Sequence, residues 1–200
     1  MRPRNADSTA EQKRALRSEL IAVRARLSQD DRQERSRAIA ERLDAVEAFR
    51  TATTVALYSP LGTEVDSGPI ARQALSHGAR VVYPRVVRGE RRLAFARCDQ
   101  SDLAPGPLGA AEPPPGAPEV PLGEIGCVVM PGVAFSEEGA RLGRGGGYYD
   151  ATLRRIPAAA RIGVAYDVQI VPTLPHEDHD QALDAVVTDA RTLQFARNRS

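Results

Sequence analysis

Along the first 50 residues, apolar side chains recur every three or four positions: Leu16, Leu20, Val23 and Leu27, then Ile39, Leu43 and Val46. That spacing puts each set on one face of an α-helix. Ser8-Thr9-Ala10-Glu11, ahead of the first stripe, has the form of a capping box, and Ser28-Gln29-Asp30-Asp31 between the stripes looks like a second helix start. The arginines and glutamates between the apolar positions are expected to form solvated faces. Residues 1–50 are thus predicted to form an N-terminal helical pair.

From Thr54 the texture changes to short apolar runs: Val55 to Tyr58, Val81 to Tyr83, Leu93 to Ala96, Ile125 to Met130, Ile162 to Tyr166 and Ala185 to Val187. They are continuous rather than alternating, as in strands buried on both faces. Between them lie two helical stretches, Gly68 to Ser76, closed by Gly78, and Tyr148 to Ile156, stopped by Pro157. The pattern predicts an α/β fold over residues 1–200 as a single domain: a largely parallel sheet in residues 51–190, flanked by helices on both faces. Residues 105–123 carry seven prolines, and an irregular surface loop is expected there.

Composition narrows the function classes. Lys+Arg 27 against Asp+Glu 26 gives a net charge of +1, without the basic excess that grips nucleic acid or an anionic membrane surface. No apolar run approaches the ~18 residues of a membrane span. The two cysteines, Cys98 and Cys127, lack the paired spacing of a zinc or redox site and read as reduced thiols. The expectation is a cytoplasmic monomer. Lys13 is the only lysine in a chain whose other basic residues are all arginine.

The strongest chemical signal is Arg141-Leu142-Gly143-Arg144-Gly145-Gly146-Gly147-Tyr148-Tyr149-Asp150, between a strand and a predicted helix. Glycines at that density let backbone N–H groups converge on an anion, with phosphate the best fit. The spacing is neither G-x-G-x-x-G nor G-x-x-x-x-G-K-[ST]. Arg141 and Arg144 can neutralise a polyphosphate, and Asp150 can hold Mg²⁺, although an acid in a first helical turn also suits the helix dipole. His176 and His179 stand three apart, but without a third soft ligand zinc is not expected.

The run R-L-G-x-G-G-G-Y-Y-D, preceded by V-V-M-P-G-V-A-F-S-x-x-G, resembles the 5-formyltetrahydrofolate cyclo-ligase (methenyltetrahydrofolate synthetase) family. The likeness extends to Lys13-Arg14-Ala15-Leu16-Arg17, to Leu57-Tyr58-Ser59 with Glu64, to Pro84-Arg85, and to the segment from Pro175 through Asp180 to Asp184. In the proline-rich stretch it covers only Gly109 to Pro113, and many family members carry a lysine where this chain has Gly146.

The resemblance implies an enzyme that uses ATP and Mg²⁺ to convert 5-formyltetrahydrofolate into 5,10-methenyltetrahydrofolate, with phosphorylation of the formyl oxygen and release of ADP and phosphate. It places Lys13, Arg14, Ala15, Leu16, Arg17 and the loop Arg141, Leu142, Gly143, Arg144, Gly145, Gly146, Gly147, Tyr148 and Tyr149 around ATP. Lys13 and Arg144 are its candidate catalytic cations. Glu64, Arg144, Gly145, Gly146, Gly147 and Tyr148 would contact the folate, and Asp150 and Asp180 the metal. Asp180 and Asp184 also suit a capping role at the last strand. Two rivals remain at this stage: a sugar-phosphate-binding sensor or isomerase-type domain, and a non-catalytic folate- or nucleotide-binding relative.

Overall fold

The structure is a computed structural model that describes residues 4–175 and 181–196, with side chains from residue 9 onward. Helix α1 (Arg4–Ala25) is followed by α2 (Gln29–Leu43), the short α3 (Glu47–Arg50), α4 (Ser67–Ser76) and α5 (Tyr148–Leu153). The second helix starts as the sequence predicts: the Ser28 hydroxyl accepts from the Asp31 N–H, and the Asp31 carboxylate accepts from Ser28. The first does not. Because α1 already runs from Arg4, Ser8 lies inside the helix rather than at its cap.

The strands in chain order are β1 (Thr54–Ala56), β2 (Arg80–Val86), β3 (Leu93–Ala96), β4 (Ala104–Pro105), β5 (Ala111–Glu112), β6 (Glu119–Val120) and β7 (Cys127–Pro131). They continue with β8 (Ala134–Ser136), β9 (Arg141–Leu142), β10 (Ala160–Val164), β11 (Ile170–Val171), β12 (Ala185–Val187) and β13 (Thr192–Gln194). The main sheet has the order β13-β12-β10-β7-β1-β2-β3-β6. Its centre, from β12 to β2, is parallel throughout, while β13, β3 and β6 add antiparallel edges.

Both faces of this sheet are buried, which explains the continuous apolar runs. Alternate residues split between two cores. Val55, Val81, Val129 and Ile162 join Ile39, Leu43 and Ile70 of α2 and α4 on one side. Ala56, Val82, Val128 and Met130 join Phe135, Leu153 and Ile156 on the other. A third cluster docks Leu16, Leu20 and Val23 of α1 on Val133, Ala134 and Leu142 of the small sheet β11-β8-β9.

Two further expectations change. The helix predicted from Tyr148 to Ile156 ends at Leu153 and finishes as turns, Ile156 N–H bonding Leu153 O at 3.2 Å. The proline-rich segment is not wholly irregular: β4 and β5 pair as a hairpin, and Val120 pairs with Phe95 to make β6 the edge of the main sheet. Proline is tolerated in such places because hairpin ends and edge strands leave N–H positions unpaired. Cys98 and Cys127 are both free thiols, as expected.

Topology fixes where a ligand would bind. From β1 the chain winds outward to β2 on one side and returns to β7 on the other, so the strand order reverses between β1 and β7. A crevice opens beyond the carboxyl ends of strands at such a switch point.

Candidate functional site

A cleft of about 450 Å³ occupies that crevice. Tyr58, Ser59, Leu61 and Glu64 follow β1, Pro131 and Gly132 close β7, and Pro84 and Val86 come from β2. The glycine loop from Arg141 to Asp150 forms one wall, and α1 reaches over it with Lys13 and Arg17.

The loop is held by side chains. Arg17 Nε donates to Gly143 O at 2.8 Å. Gly145 and Gly147 take positive φ, +98° and +68°, and Gly147 is the residue from which α5 starts. A side chain at either would be strained, so glycine is required for the loop to fold back under α1.

Arg141 is the buried member, its side chain 6% exposed. Its Nη2 pairs with Asp150 Oδ1 at 3.2 Å, and its guanidinium lies 5.4 Å from the centre of the Tyr149 ring. Burial pushes the Tyr149 hydroxyl well above its ordinary pKa, opposed by the Arg141 charge. Arg141 Nε is buried without a hydrogen-bond partner among the described residues, an orphan that a bound anion would satisfy.

Arg144 reaches across the cleft. Its Nε donates to Glu64 Oε1 at 3.1 Å and its Nη2 to Leu61 O at 3.4 Å. Glu64 is nearly buried, and its second oxygen accepts from Leu61 N at 2.9 Å. The Glu64 loop is pinned from below: Tyr58 Oη donates to Val65 O at 2.7 Å and Tyr166 Oη to Glu64 O at 3.4 Å. Desolvation raises the Tyr58 hydroxyl pKa as well.

The structure gathers most of the predicted site residues and leaves some out. Lys13, only 7% exposed, and Arg17 line the cleft. Arg14 and Ala15 are exposed, Arg14 pairing with Glu11 at 3.7 Å, and Leu16 packs into the third core cluster. Leu142 is buried in that cluster while also lining the cleft. Gly143, Arg144, Gly145, Gly146, Gly147, Tyr148, Tyr149 and Asp150 all line it. Asp180, with His176 and His179, lies outside the described residues. Asp184 accepts from Arg161 N at 2.7 Å beside β10, a structural contact away from the cleft.

Among the described residues, no three His, Cys, Asp or Glu side chains gather as a metal cluster. A single carboxylate beside a phosphate-type loop fits Mg²⁺, which is bound by one or two carboxylates together with phosphates and water. Asp150, in the same cleft as the glycine loop, is such a carboxylate.

Sequence reasoning missed two features. Arg24 is 2% exposed beneath the cleft, donating through Nε to Thr63 Oγ1 at 3.0 Å and through Nη1 to Gly132 O at 3.3 Å. It therefore ties the loop after β1 to the turn after β7; desolvation lowers its pKa, and the Glu64 charge offsets part of that. The sequence signal was its position: residues 13, 17 and 24 lie within about 40° on a helix of 3.6 residues per turn. The second feature is the β4–β5 hairpin, which brings Leu108, Ala110, Ala111 and Glu112 to the cleft. Glu112 Oε1 accepts from Val86 N at 3.2 Å, and burial raises its carboxyl pKa. Leu108 at the hairpin tip is 50% exposed, an apolar side chain held at the mouth.

Comparison with known proteins gives a consistent result. A profile of the 5-formyltetrahydrofolate cyclo-ligase family matches residues 9–189. The chain is 36% identical over 151 residues to 5-formyltetrahydrofolate cyclo-ligase of Mycolicibacterium smegmatis, covering 72% of this chain and 77% of that one. It is 33% identical over 174 residues to the Escherichia coli protein of the same name, covering 84% and 96%. The NMR structure of Aquifex aeolicus 5,10-methenyltetrahydrofolate synthetase matches with a TM-score of 0.80 at 31% identity, over 94% of this chain and 95% of that one.

Proposed function

The chain belongs to the 5-formyltetrahydrofolate cyclo-ligase family and is an enzyme of folate metabolism; from that premise we propose that it uses ATP and Mg²⁺ to close 5-formyltetrahydrofolate into 5,10-methenyltetrahydrofolate. The observation that carries this reading is that the glycine loop and Glu64 face one cleft and are joined across it by Arg144.

The formyl oxygen of the substrate is a poor leaving group. Transfer of the γ-phosphoryl group onto it, with cleavage of the bond to ADP, creates a good one. N10 then attacks the formyl carbon, the C–O bond to phosphate breaks, and the N10 proton is lost. Such a transfer asks the protein for positioning and charge neutralisation rather than a covalent intermediate. Lys13, Arg17 and Arg144 supply positive charge in the cleft, and the loop N–H groups supply donors. Glu64 offers an acceptor to the N–H edge of a pterin, while Leu61, Val86 and Tyr148 give its flat ring an apolar surface. Asp150 would hold Mg²⁺, which when bound neutralises phosphate charge; Asp180 is the second proposed ligand.

Arg144 is the residue shared between the two substrates. Its guanidinium bonds Glu64 and Leu61 O. An arriving polyphosphate competes for the same guanidinium and leaves Glu64 open to folate. Residues 1–200 act as one unit in this reading. The reading takes the protein as a monomer, and no described helix is long and apolar enough to cross a membrane. A cytoplasmic setting fits an enzyme that consumes ATP.

The test is direct: protein, Mg²⁺, ATP and 5-formyltetrahydrofolate should yield methenyltetrahydrofolate by its near-ultraviolet absorbance, with one ADP per product. Chelating Mg²⁺ should stop turnover, and Asp150→Asn should raise the Mg²⁺ needed for half-maximal rate more than it raises the folate KM. ATP hydrolysis that ignores the folate would sink the reading. So would inertness of a folded sample, which would leave a binding module.

A further inference from the structure

The two left-handed glycines of the loop each have an arginine where a side chain would be. A Cβ on Gly145 would lie 3.6 Å from the Arg17 guanidinium carbon, and one on Gly147 would lie 3.5 Å from Arg91 Cδ and 3.8 Å from its Nη1. Arg17 comes from α1 and belongs to the predicted site. Arg91 comes from the turn between β2 and β3 and was assigned no role.

Its placement is fixed by the scaffold. Leu93 N donates to Thr152 Oγ1 at 2.9 Å, and Thr152 Oγ1 donates to Tyr148 O at 2.7 Å. The base of the β2–β3 hairpin is thereby tied to α5, the helix that the glycine loop enters. The turn itself is closed by Val87 N to Arg92 O at 3.2 Å and Glu90 N to Val87 O at 3.1 Å.

The two neighbouring arginines of that turn are not equivalent. Arg92 is neutralised by Glu90, its Nη2 bonding Glu90 Oε1 at 3.0 Å. Arg91 is exposed and has no acidic partner among the described residues. An arginine held against the backbone of a phosphate-type loop, and left without an acid, supplies a charge-assisted donor for an anion arriving there.

We propose that Arg91 is a further nucleotide-binding residue, which reaches the ATP polyphosphate from the β2–β3 turn, past Gly147. This rests on the nucleotide reading above and adds a residue from an element outside the recognised motifs. With Gly146 at the centre of the loop, the loop's own accessible cation is Arg144. Arg91 adds one from the β2–β3 turn, as Lys13 and Arg17 do from α1.

The test measures nucleotide affinity with and without turnover, using the full chain. By calorimetry with the non-hydrolysable analogue AMPPNP and Mg²⁺, Arg91→Ala should weaken binding by about 5- to 10-fold, as expected for one partly exposed charged hydrogen bond. In turnover, the KM for ATP should rise by a similar factor while the KM for 5-formyltetrahydrofolate stays within about twofold. Arg91→Lys should recover part of the loss, and Arg91→Glu should lose more than Arg91→Ala. Arg92→Ala, one residue away but already paired, should leave all constants unchanged. Equal nucleotide constants for wild type and Arg91→Ala overturn the proposal. A rise confined to the folate KM also overturns it and would instead put a folate carboxylate on Arg91. Because calorimetry needs no turnover, a wild-type protein that binds AMPPNP yet converts no folate would refute the cyclo-ligase reading and leave the Arg91 affinity ratio decisive. A wild-type protein that binds no nucleotide overturns both.

Discussion

Helices α1 and α2 are both rich in arginine and glutamate and both carry one apolar stripe, yet they bury different things. α2 turns Ile39, Ala40 and Leu43 into the core and keeps its arginines near the surface, with Arg35 reaching Asp189 at 2.9 Å. α1 buries Leu20, but also Lys13 and Arg24. A buried cation is costly unless it is paired and hydrogen-bonded. Arg24 is hydrogen-bonded by Thr63 and Gly132, which sit on the loops that form the cleft, and the nearby Glu64 charge offsets part of its desolvation. One helix therefore holds the fold, and the other gives up some stability to bring charge to a site.

The largest expected effect lies on the α2 side of this contrast. Leu43 is fully buried among the residues of the first core cluster, so Leu43→Ala should destabilise the protein by about 2–5 kcal/mol. The fraction that remains folded should keep the KM for ATP and for folate. Chemical denaturation read beside steady-state kinetics checks both halves. A change in either KM without a change in the denaturation midpoint would erase the distinction between the two helices.

On α1 the pattern should invert. Lys13→Ala removes a cleft cation from the middle of the helix, and should cost about 2 kcal/mol of transition-state stabilisation, seen as a fall in kcat/KM for ATP of roughly 30-fold. The denaturation midpoint should move little, because alanine is a good helix former. Unaltered kcat and KM for ATP would remove Lys13 from the site.

How much of this the sequence discloses follows the same division. Apolar burial is legible because it repeats: runs such as Val55 to Tyr58 and Ile162 to Tyr166 announce a sheet covered on both faces, and Ile39, Leu43 and Val46 mark the inward side of α2. The glycine loop is legible because backbone convergence on an anion needs glycine, and Gly145 and Gly147 do take positive φ. Ser28 and Ser8 have similar local signatures, but only Ser28 follows a break in the helix. The stretch from Arg4 to Asp7 contains no glycine or proline to stop α1 short of Ser8.

Arg24 and Arg91 are harder to read from the sequence for a different reason. Periodicity sends arginine to solvent, and what draws Arg24 inward is Thr63, a partner 39 residues away. Arg91 meets the glycine loop only because Leu93 hydrogen-bonds Thr152, 59 residues on. The β4–β5 hairpin escaped notice because proline content argues against regular structure, whereas two residue pairs suffice to hold it.

The smallest expected effect concerns the cap of α2, which sharpens the contrast by showing a charge used purely for the fold. The Asp31 carboxylate accepts from the Ser28 hydroxyl at 2.7 Å and from the Ser28 N–H at 3.2 Å, and these bonds hold its pKa below the ordinary value of 3.8. A depressed folded-state pKa stabilises the folded state above the unfolded pKa, and that contribution is lost as pH falls through the folded value. The gap in stability between wild type and Asp31→Asn should therefore be present at about pH 6 and shrink at about pH 3, when urea titrations are compared at the two conditions. Ser28→Ala, which removes the hydroxyl that caps the helix, should cost about 1 kcal/mol at the higher pH. Neither change should touch the KM for ATP or folate, since α2 contributes no side chain to the cleft. A gap that stays constant from one pH to the other would mean that the Asp31 carboxylate charge does not hold this cap.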